Sequence, residues 1–475
     1  MSQAILFSFI LFFGCLSSTA FSQATSQPSH SANEKSLAQA LQLAKAHRYA
    51  EAAAVIRQVS PPEDRVQRIV FFRLRASIES GLGHSAAAAN DMEAATWLAP
   101  ENLELKIAAS LARLEAQLES QKDPAVTLAT LRSFDLAPPQ QLELRLRTGE
   151  ILSRADLFQE AAKDFEEASR LAPDRVDIHF NLALARYRNG EWDAALASAE
   201  RAKSLKDSGS VESLLGDIQE KREDSLAAVH SYQGAVTLEP NVEQHRLALA
   251  TELLKHQTFD AAIVVLEQAE SLFPQSVRMR VLLALTYYFV DRSQDSIRTL
   301  LEATKLDTTD VLAIRYLGEL TLQHSAVPDP AAVTQICAFA DTHPASEIAD
   351  ALCGGVLLRV AEDNSDSSRG QEILRRLRHA VAIAPSDPVA ACQFGKALEW
   401  SERWQEARTQ MEKCVRLDPD SPESHYRLAR VYRRLGLATL AAEQTAAQQQ
   451  AVKRQNEDNN RRSNTITRFL VLLNH

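Results

Sequence analysis

The feature that most limits what this chain can fold into is an internal repeat of 33 or 34 residues. Small residues recur at this interval in the middle of the sequence: Ala161, Ala195, Ala228, Ala262 and Ser296. A second series follows seven residues later at the same interval: Ala168, Ala202, Ala235, Ala269 and Ala303. Prolines share the period in two pairs: Pro240 with Pro274, and Pro385 with Pro419. Such a period is typical of a solenoid built by stacking one supersecondary unit.

Each period has the pattern of two amphipathic helices. In one of them Gly149 and Ala161 lie in the middle of successive helical segments, and Leu152 and Phe165 follow about one turn later. Small side chains let two antiparallel helices approach closely, and the larger ones fill the adjoining grooves. Pro173 ends the second helix because it cannot donate the next backbone hydrogen bond. With only 14 glycines and 17 prolines in 475 residues, the composition also favours an all-α fold over turn-rich β architectures.

The spacing resembles that of the tetratricopeptide repeat, a 34-residue helix-turn-helix unit. Two periods carry the family's pattern of large, small, aromatic and proline positions: Phe394, Gly395, Leu398, Trp404, Ala407, Met411 and Pro419 in one, and Leu249, Ala250, Leu253, Phe259, Ala262, Leu266, Ala269 and Pro274 in the other. The resemblance implies an all-α, right-handed solenoid (superhelix) of about 12 repeats, and the N-terminal residues described below favour an exported, bacterial-type member of the family. We expect these repeats over residues 35–450, with a degenerate helix pair at 101–139.

The first 24 residues are predicted to be an export signal. The apolar run from Ala4 to Phe13 is too short to span a bilayer, and Ala24 and Ala20 are candidate cleavage sites. Because no Lys or Arg precedes the run, an apolar helix retained in the mature protein is the alternative. The residues before Cys15 also resemble a lipobox, whose cysteine is acylated. We expect a periplasmic or extracellular protein, or an outer-membrane lipoprotein attached to the membrane only if Cys15 is lipidated.

Two segments flank the predicted repeats. Residues 25–34 are rich in serine and are expected to form a linker. Residues 451–475 are expected to form a polar cap and a tail, because the last unit of a solenoid has no successor to cover its face. The tail has an apolar stripe at helical spacing: Ile466, Phe469, Leu470 and Leu473. Docking of this stripe onto the last unit is the favoured interpretation, and disorder and insertion into a partner are the alternatives.

The sequence favours binding over catalysis. No segment is left over for a catalytic domain, and the two closest histidines, His245 and His256, are 11 residues apart, unlike the zinc ligands of an HExxH helix. The motifs of a phosphate-binding loop, a nucleophile elbow and a CxxC site are absent. The net charge of −10 disfavours nucleic acid, which binds basic surfaces. We therefore expect no enzyme activity, no cofactor and no metal.

The expected function is that of a non-enzymatic protein–protein interaction scaffold. Stacked units of this type present their first helices along a concave groove, and we predict that an extended peptide or protein segment binds there. A structural spacer and a membrane-tethered lipoprotein assembly factor of the cell envelope are the alternatives. A spacer has no reason to expose aromatic residues in a groove.

Counting along the first helices predicts two groups of groove residues. The central patch comprises Phe180, Asn181, Leu184, Tyr187, Arg188, Leu282, Leu285, Tyr288, Phe289, Arg315 and Tyr316. It is expected to supply apolar anchors, and packing between adjacent units is the alternative for half of its apolar residues. Family members that grip a C-terminal carboxylate use a Lys/Asn clamp at matching positions. Asn181 alone fits that clamp, so we do not expect one.

The C-terminal patch comprises Lys396, Trp400, Tyr426, Arg427, Arg430 and Arg434. Four cations on one face repel each other unless an anion neutralises them. We therefore expect this patch to bind an acidic segment, with an affinity that falls as salt rises.

Four cysteines follow the predicted signal. Cys337 and Cys353 fall on neighbouring helices, and Cys392 and Cys414 fall on the two helices of one unit. Disulfides Cys337–Cys353 and Cys392–Cys414 are possible in an oxidising compartment. Burial of all four as unpaired thiols is the interpretation that the sequence favours.

Overall fold

A computed structural model of the chain describes residues 28–323 and 328–457. Within these ranges the protein consists of 24 α-helices and contains no β-strand. Consecutive helices pack side by side as helix-turn-helix pairs, so the prediction of an all-α helical repeat is confirmed. The chain divides after Lys206 into two compact units.

The described part of the first unit contains ten helices: α1 (Pro28–Lys45), α2 (Tyr49–Ile56), α3 (Arg65–Gly81), α4 (Ser85–Leu98), α5 (Leu103–Glu119), α6 (Ala125–Ser133), α7 (Pro138–Arg154), α8 (Phe158–Leu171), α9 (Val176–Arg188) and α10 (Trp192–Leu205). Its hydrophobic clusters lie between successive helices, the largest being formed by residues from α5 to α9.

Over residues 207–323 and 328–457 the second unit contains fourteen helices: α11 (Gly209–Lys221), α12 (Ser225–Leu238), α13 (Glu243–Lys255), α14 (Phe259–Leu272), α15 (Val277–Phe289), α16 (Ser293–Leu306), α17 (Val311–Gln323), α18 (Pro330–Thr342), α19 (Ala349–Asn364), α20 (Gly370–Ile383), α21 (Pro388–Trp400), α22 (Trp404–Leu417), α23 (Pro422–Arg434) and α24 (Ala438–Glu457). Its main core is continuous from Ala228 to Val431.

Close approach of paired helices explains the repeated small residues. A Cβ atom at Gly149 of α7 would lie 2.7 Å from the ring of Phe165 on α8, which is closer than real Cβ contacts allow. Gly216 of α11 has the same relation to Tyr232 of α12, at 2.5 Å. The small residue of the second helix is also buried, as at Ala161, whose exposure is 0%. The predicted alternation of small and large side chains is therefore confirmed.

The turn inside most helix pairs has a left-handed residue at one repeated position, five residues before the buried small residue of the second helix. Glycine occupies this position in three pairs: Gly83, Gly190 and Gly436. Other residues occupy it in six pairs, with φ between 57° and 62°: His47, Asp156, Glu223, Gln257, Asp291 and Glu402. Because a Cβ atom is strained in this region of φ, these six turns carry a conformational cost that glycine avoids.

The described ends of the array are helical. Helix α1 begins at Pro28, within the range 25–34 over which the Ser-rich linker is expected. Proline fits the first turn because its missing N–H has no helical acceptor there. Helix α24 runs without a break through Glu457, and Ala451 within it is buried. The export signal, Cys15 and the stripe from Ile466 to Leu473 lie outside the described residues.

The degenerate segment at residues 101–139 folds as helices α5 and α6 followed by the start of α7, and α6 has only 9 residues. None of the described helices has the length and hydropathy needed to cross a membrane.

The structure joins the four described cysteines in two disulfides. Cys337 of α18 is bonded to Cys353 of α19, and Cys392 of α21 to Cys414 of α22, with Cα atoms 4.8 Å apart in each pair. These separations suit a disulfide. The structure therefore differs from the four unpaired thiols that the sequence favoured, because side-by-side packing brings together residues that sequence spacing does not show to be in contact.

Candidate functional site

Four of the eleven residues of the predicted central patch belong to the core. Leu282, Leu285, Phe289 and Tyr316 have exposures of 0%, 2%, 3% and 8%. They lie where α15 and α17 pack within the second unit, and the Phe289 ring stacks on that of Phe259 with centroids 5.6 Å apart. The prediction that these four residues line an open groove is wrong, because neighbouring helices cover them.

Two further members of the central patch are partly exposed in the second unit. Tyr288 donates a hydrogen bond from its hydroxyl to Oε1 of Gln323, at 3.0 Å, and so connects α15 to α17. Arg315 lies on α17 and is also partly exposed.

The remaining members of the central patch form an open surface on α9, which we call the α9 face: Phe180, Asn181, Leu184, Tyr187 and Arg188. Arg188 is exposed, and the other four side chains are partly exposed. The opposite side of the helix is buried and contributes Ile178, Leu182, Ala183 and Ala185 to the interior. Because Phe180, Leu184 and Tyr187 follow one another at helical spacing, they form one stripe along the open side.

Carboxylates and guanidinium groups also lie along α7, which precedes α9 by two helices. On α7, Arg147 is paired with Glu143 at 2.6 Å, and Arg154 with Glu115 at 3.0 Å. Glu150 lies between them on the same helix. Burial raises the pKa of Glu150, and the nearby negative charges of Glu143 and Asp177 add to the rise against the opposing effect of Arg154 and Arg147.

The C-terminal patch is an internal ion-pair network. Lys396 Nζ lies 2.8 Å from Glu423 Oε1, Arg427 Nη1 lies 3.0 Å from Glu399 Oε2, and Arg430 Nε lies 2.6 Å from Glu399 Oε1. The side chain of Glu399 is 0% exposed. The expectation that these cations repel each other is therefore wrong, because carboxylates from α21 and α23 neutralise them.

Burial and charge act in opposition on this network. Burial lowers the pKa of Lys396, although Glu423 opposes the shift. Burial also works against the charge of Arg427, but the carboxylates of Glu423, Glu362 and Glu399 outweigh it and raise the pKa. The sequence offered one signal for this pairing, since Glu423 and Arg427 are four residues apart on α23. The contact between Glu399 and Arg427 joins two helices and has no such signal.

The three other residues of the C-terminal patch are Trp400, Tyr426 and Arg434. Tyr426 is 44% exposed, and the guanidinium of Arg434 lies over the Trp404 ring at 5.5 Å from its centroid. Trp400 is partly exposed and lines a cleft of 710 Å³ beside the turn from α19 to α20, together with Glu362, Ser365, Ser367, Gly370, Gln371, Leu374 and Ser401.

The described ranges contain no group of three side chains that are suited to hold a metal ion. The arrangement on the α9 face offers apolar contact, hydrogen bonding and charge on an accessible helix surface. The fold defines a class, the all-α helical-repeat proteins.

Comparison with known proteins identifies the repeat type in two segments of the chain. The model of the tetratricopeptide repeat matches residues 146–210 and 392–453. These two segments are tetratricopeptide repeats, and repeats of this kind support a role as a protein–protein interaction scaffold. The α9 face lies within the first matched segment, and the ion-pair network from Lys396 to Arg430 lies within the second.

Several solved structures are similar to this chain. YrrB, described as a tetratricopeptide-repeat protein with an unusual peptide-binding site, is 17% identical, with a TM-score of 0.33 over 38% of this chain and 97% of its own. The C-terminal part of a repeat protein from Cytophaga hutchinsonii is 14% identical, with a TM-score of 0.44 over 52% of this chain and 98% of its own. Yeast Tom70 is 15% identical, with a TM-score of 0.34 over 92% of this chain and 99% of its own. No curated protein matches the chain at a significant level.

Proposed function

We propose that the α9 face binds an extended segment of a partner protein, without catalysis. The observation that carries this proposal is the stripe of Phe180 and Leu184, which stays accessible although apolar residues at comparable positions of α15 are buried. Asn181 adds an amide that can pair with a peptide backbone, and Arg188 adds a charge at the end of the helix. Aromatic residues and arginine are enriched at the contacts that dominate protein interfaces.

Site-specific photo-crosslinking in the source organism tests the proposal. A photoreactive amino acid at position 180 should form an adduct with a partner, whereas one at Val126 should not. Val126 is a suitable control because it is 79% exposed on α6, within the same unit.

The adduct from position 180 should weaken when Leu184 or Arg188 is replaced by alanine. Once the partner is purified, Phe180→Ala should cost about 2 kcal/mol of binding free energy if the ring is a central anchor. Equal adducts from positions 180 and 126 would contradict the proposal, since they would show general surface contact.

We also propose that the protein is exported and works in an oxidising compartment, in the periplasm or outside the cell. The first 24 residues support this proposal because they resemble an export signal. The two disulfides also support it, since disulfides persist mainly outside the cytosol. Mass spectrometry of the mature protein should find an N-terminus after Ala24 or Ala20. An acylated Cys15 would give the membrane-attached alternative, and an unprocessed N-terminus would contradict export.

A further inference from the structure

We infer that the cleft beside the turn from α19 to α20 binds a neutral sugar ring, which stacks on Trp400 and forms hydrogen bonds with the serine and glutamine side chains around it. All residues that line the cleft belong to the second unit. The inference is therefore independent of the protein partner proposed for the α9 face, and it adds a second kind of ligand.

The first step is that the cleft contains one aromatic ring in a fixed place. Trp400 is the last residue of α21, and it packs partly against the main core of the second unit while it also lines the cleft. The start of α20 lies against the same ring. A Cβ atom at Gly370 would be 3.3 Å from Cζ3 of Trp400, which is closer than most real Cβ contacts. Because the ring is already packed, a ligand that stacks on it does not have to order it first.

The second step is that uncharged hydrogen-bonding groups surround this ring. Three serine hydroxyls and one amide line the cleft: Ser365, Ser367, Ser401 and Gln371. Each hydroxyl can donate and accept, and the amide has one carbonyl oxygen and two N–H groups. Across the described ranges, none of these four side chains makes a hydrogen bond to another protein group. The start of α20 also has no side-chain cap, so the backbone N–H of Gln371 is a further donor.

The third step is that the charge in the cleft is already balanced. Among the lining residues Glu362 alone is ionisable, and its Oε1 lies 3.7 Å from Nη1 of Arg427 on α23. A cationic ligand would have to compete with this guanidinium group, and an anionic ligand would be repelled by the carboxylate. A neutral ligand meets neither obstacle.

A sugar matches these three features together. One face of a pyranose ring presents C–H groups, which pack on the negatively polarised π face of tryptophan, and its hydroxyls can pair with serine and amide groups. The volume of the cleft is 710 Å³, within the range of about 300–1,000 Å³ that small-molecule sites occupy. An apolar side chain of a peptide would find one apolar neighbour besides Trp400, which is Leu374.

The test uses the full chain and saturation-transfer difference NMR, which detects weak binding. The neutral probes are maltotriose, cellotriose, xylotriose and triacetylchitotriose. The controls are the anionic trigalacturonate, the cationic trilysine and the neutral peptide Gly-Leu-Gly. We expect saturable binding of at least one neutral trisaccharide and weaker binding of all three controls. If none of the four sugars binds, or if any control binds as tightly as the best sugar, the inference is wrong.

Two matched pairs of variants locate the site. Trp400→Ala should weaken sugar binding by at least about tenfold, whereas Trp97→Ala, at a side chain that is 82% exposed on α4, should change it by less than about twofold. Gln371→Ala should weaken binding by about threefold or more, and Gln405→Ala should not. Gln405 is a matched control because it is exposed, is the second residue of α22 as Gln371 is of α20, and does not line the cleft.

Circular dichroism verifies that the variants are folded. If Trp400→Ala unfolds because it removes part of the core packing, the comparison of Gln371→Ala with Gln405→Ala decides. Equal losses in Trp400→Ala and Trp97→Ala would show general stacking on accessible tryptophans and would overturn the inference. Sugar binding that is unchanged in both Trp400→Ala and Gln371→Ala would overturn it as well, since the sugar would then bind outside this cleft.

Discussion

Replacing Gln257 by glycine should stabilise the protein, although glycine usually weakens a helical fold. Gln257 has a φ of 57° in the turn between α13 and α14, and its side chain is exposed. A non-glycine residue in this conformation costs about 1–2 kcal/mol, whereas glycine costs about 0.5–1 kcal/mol through the freedom that it gains on unfolding. The difference predicts a stabilisation of about 0.5–1 kcal/mol.

The same substitution at Gln233 provides the matched control. Gln233 is exposed in the interior of α12, where glycine lacks the strain relief and costs about 1 kcal/mol. The two substitutions are chemically identical and should have opposite signs. Gly190→Ala, in the equivalent turn between α9 and α10, should destabilise because φ is 81° there.

Urea unfolding followed by circular dichroism gives the global comparison. Because long repeat arrays lose cooperativity, amide hydrogen exchange in α13 and α14 should also be measured, and their protection should rise in Gln257→Gly. A lower urea midpoint in Gln257→Gly, of the size found for Gln233→Gly, would refute the argument that the repeated turn position is strained.

Three other predictions follow from the packing and the charges. Gly149→Val should cost about 1–3 kcal/mol of stability because the Phe165 ring occupies the space that its side chain needs, and an unchanged urea midpoint would contradict this close packing. Burial opposes ionisation of Glu423, but Lys396 and Arg427 outweigh it and lower its pKa in the folded protein. The stability that this carboxylate contributes is therefore complete above its unfolded pKa and is lost as the pH falls through the lower folded value. In a series of urea midpoints measured at decreasing pH, Glu423→Gln should show a smaller fall in acid than the unsubstituted protein. An equally steep fall in both proteins would count against the pairing. Denatured, unreduced protein should give no free thiol from the four cysteines of the helical region in an Ellman assay, and four free thiols would eliminate both disulfides.

The sequence by itself determined the repeating unit. The contacts that define a helix pair join residues a fixed distance apart, such as Gly149 with Phe165, and each pair packs mainly on its neighbours. Small residues at the points of close approach therefore return with the period of the unit, and the fold class follows from that period. The repeat period locates the turn that contains Gln257. It does not predict the left-handed backbone conformation there, because glutamine is not a residue type that favours a positive φ.

Only the tertiary structure decided which first-helix residues are available to a partner. Leu184 and Leu285 are three repeats apart at the same repeat position, yet Leu184 is partly exposed and Leu285 is buried. The tertiary structure likewise decided that two cations of the C-terminal patch are paired, because the Glu399 carboxylate on α21 forms ion pairs with Arg427 and Arg430 on α23. The physical reason is common to both cases. A repeat period specifies the contacts within a unit, whereas burial and charge pairing on the open side depend on side chains supplied by the neighbouring helices.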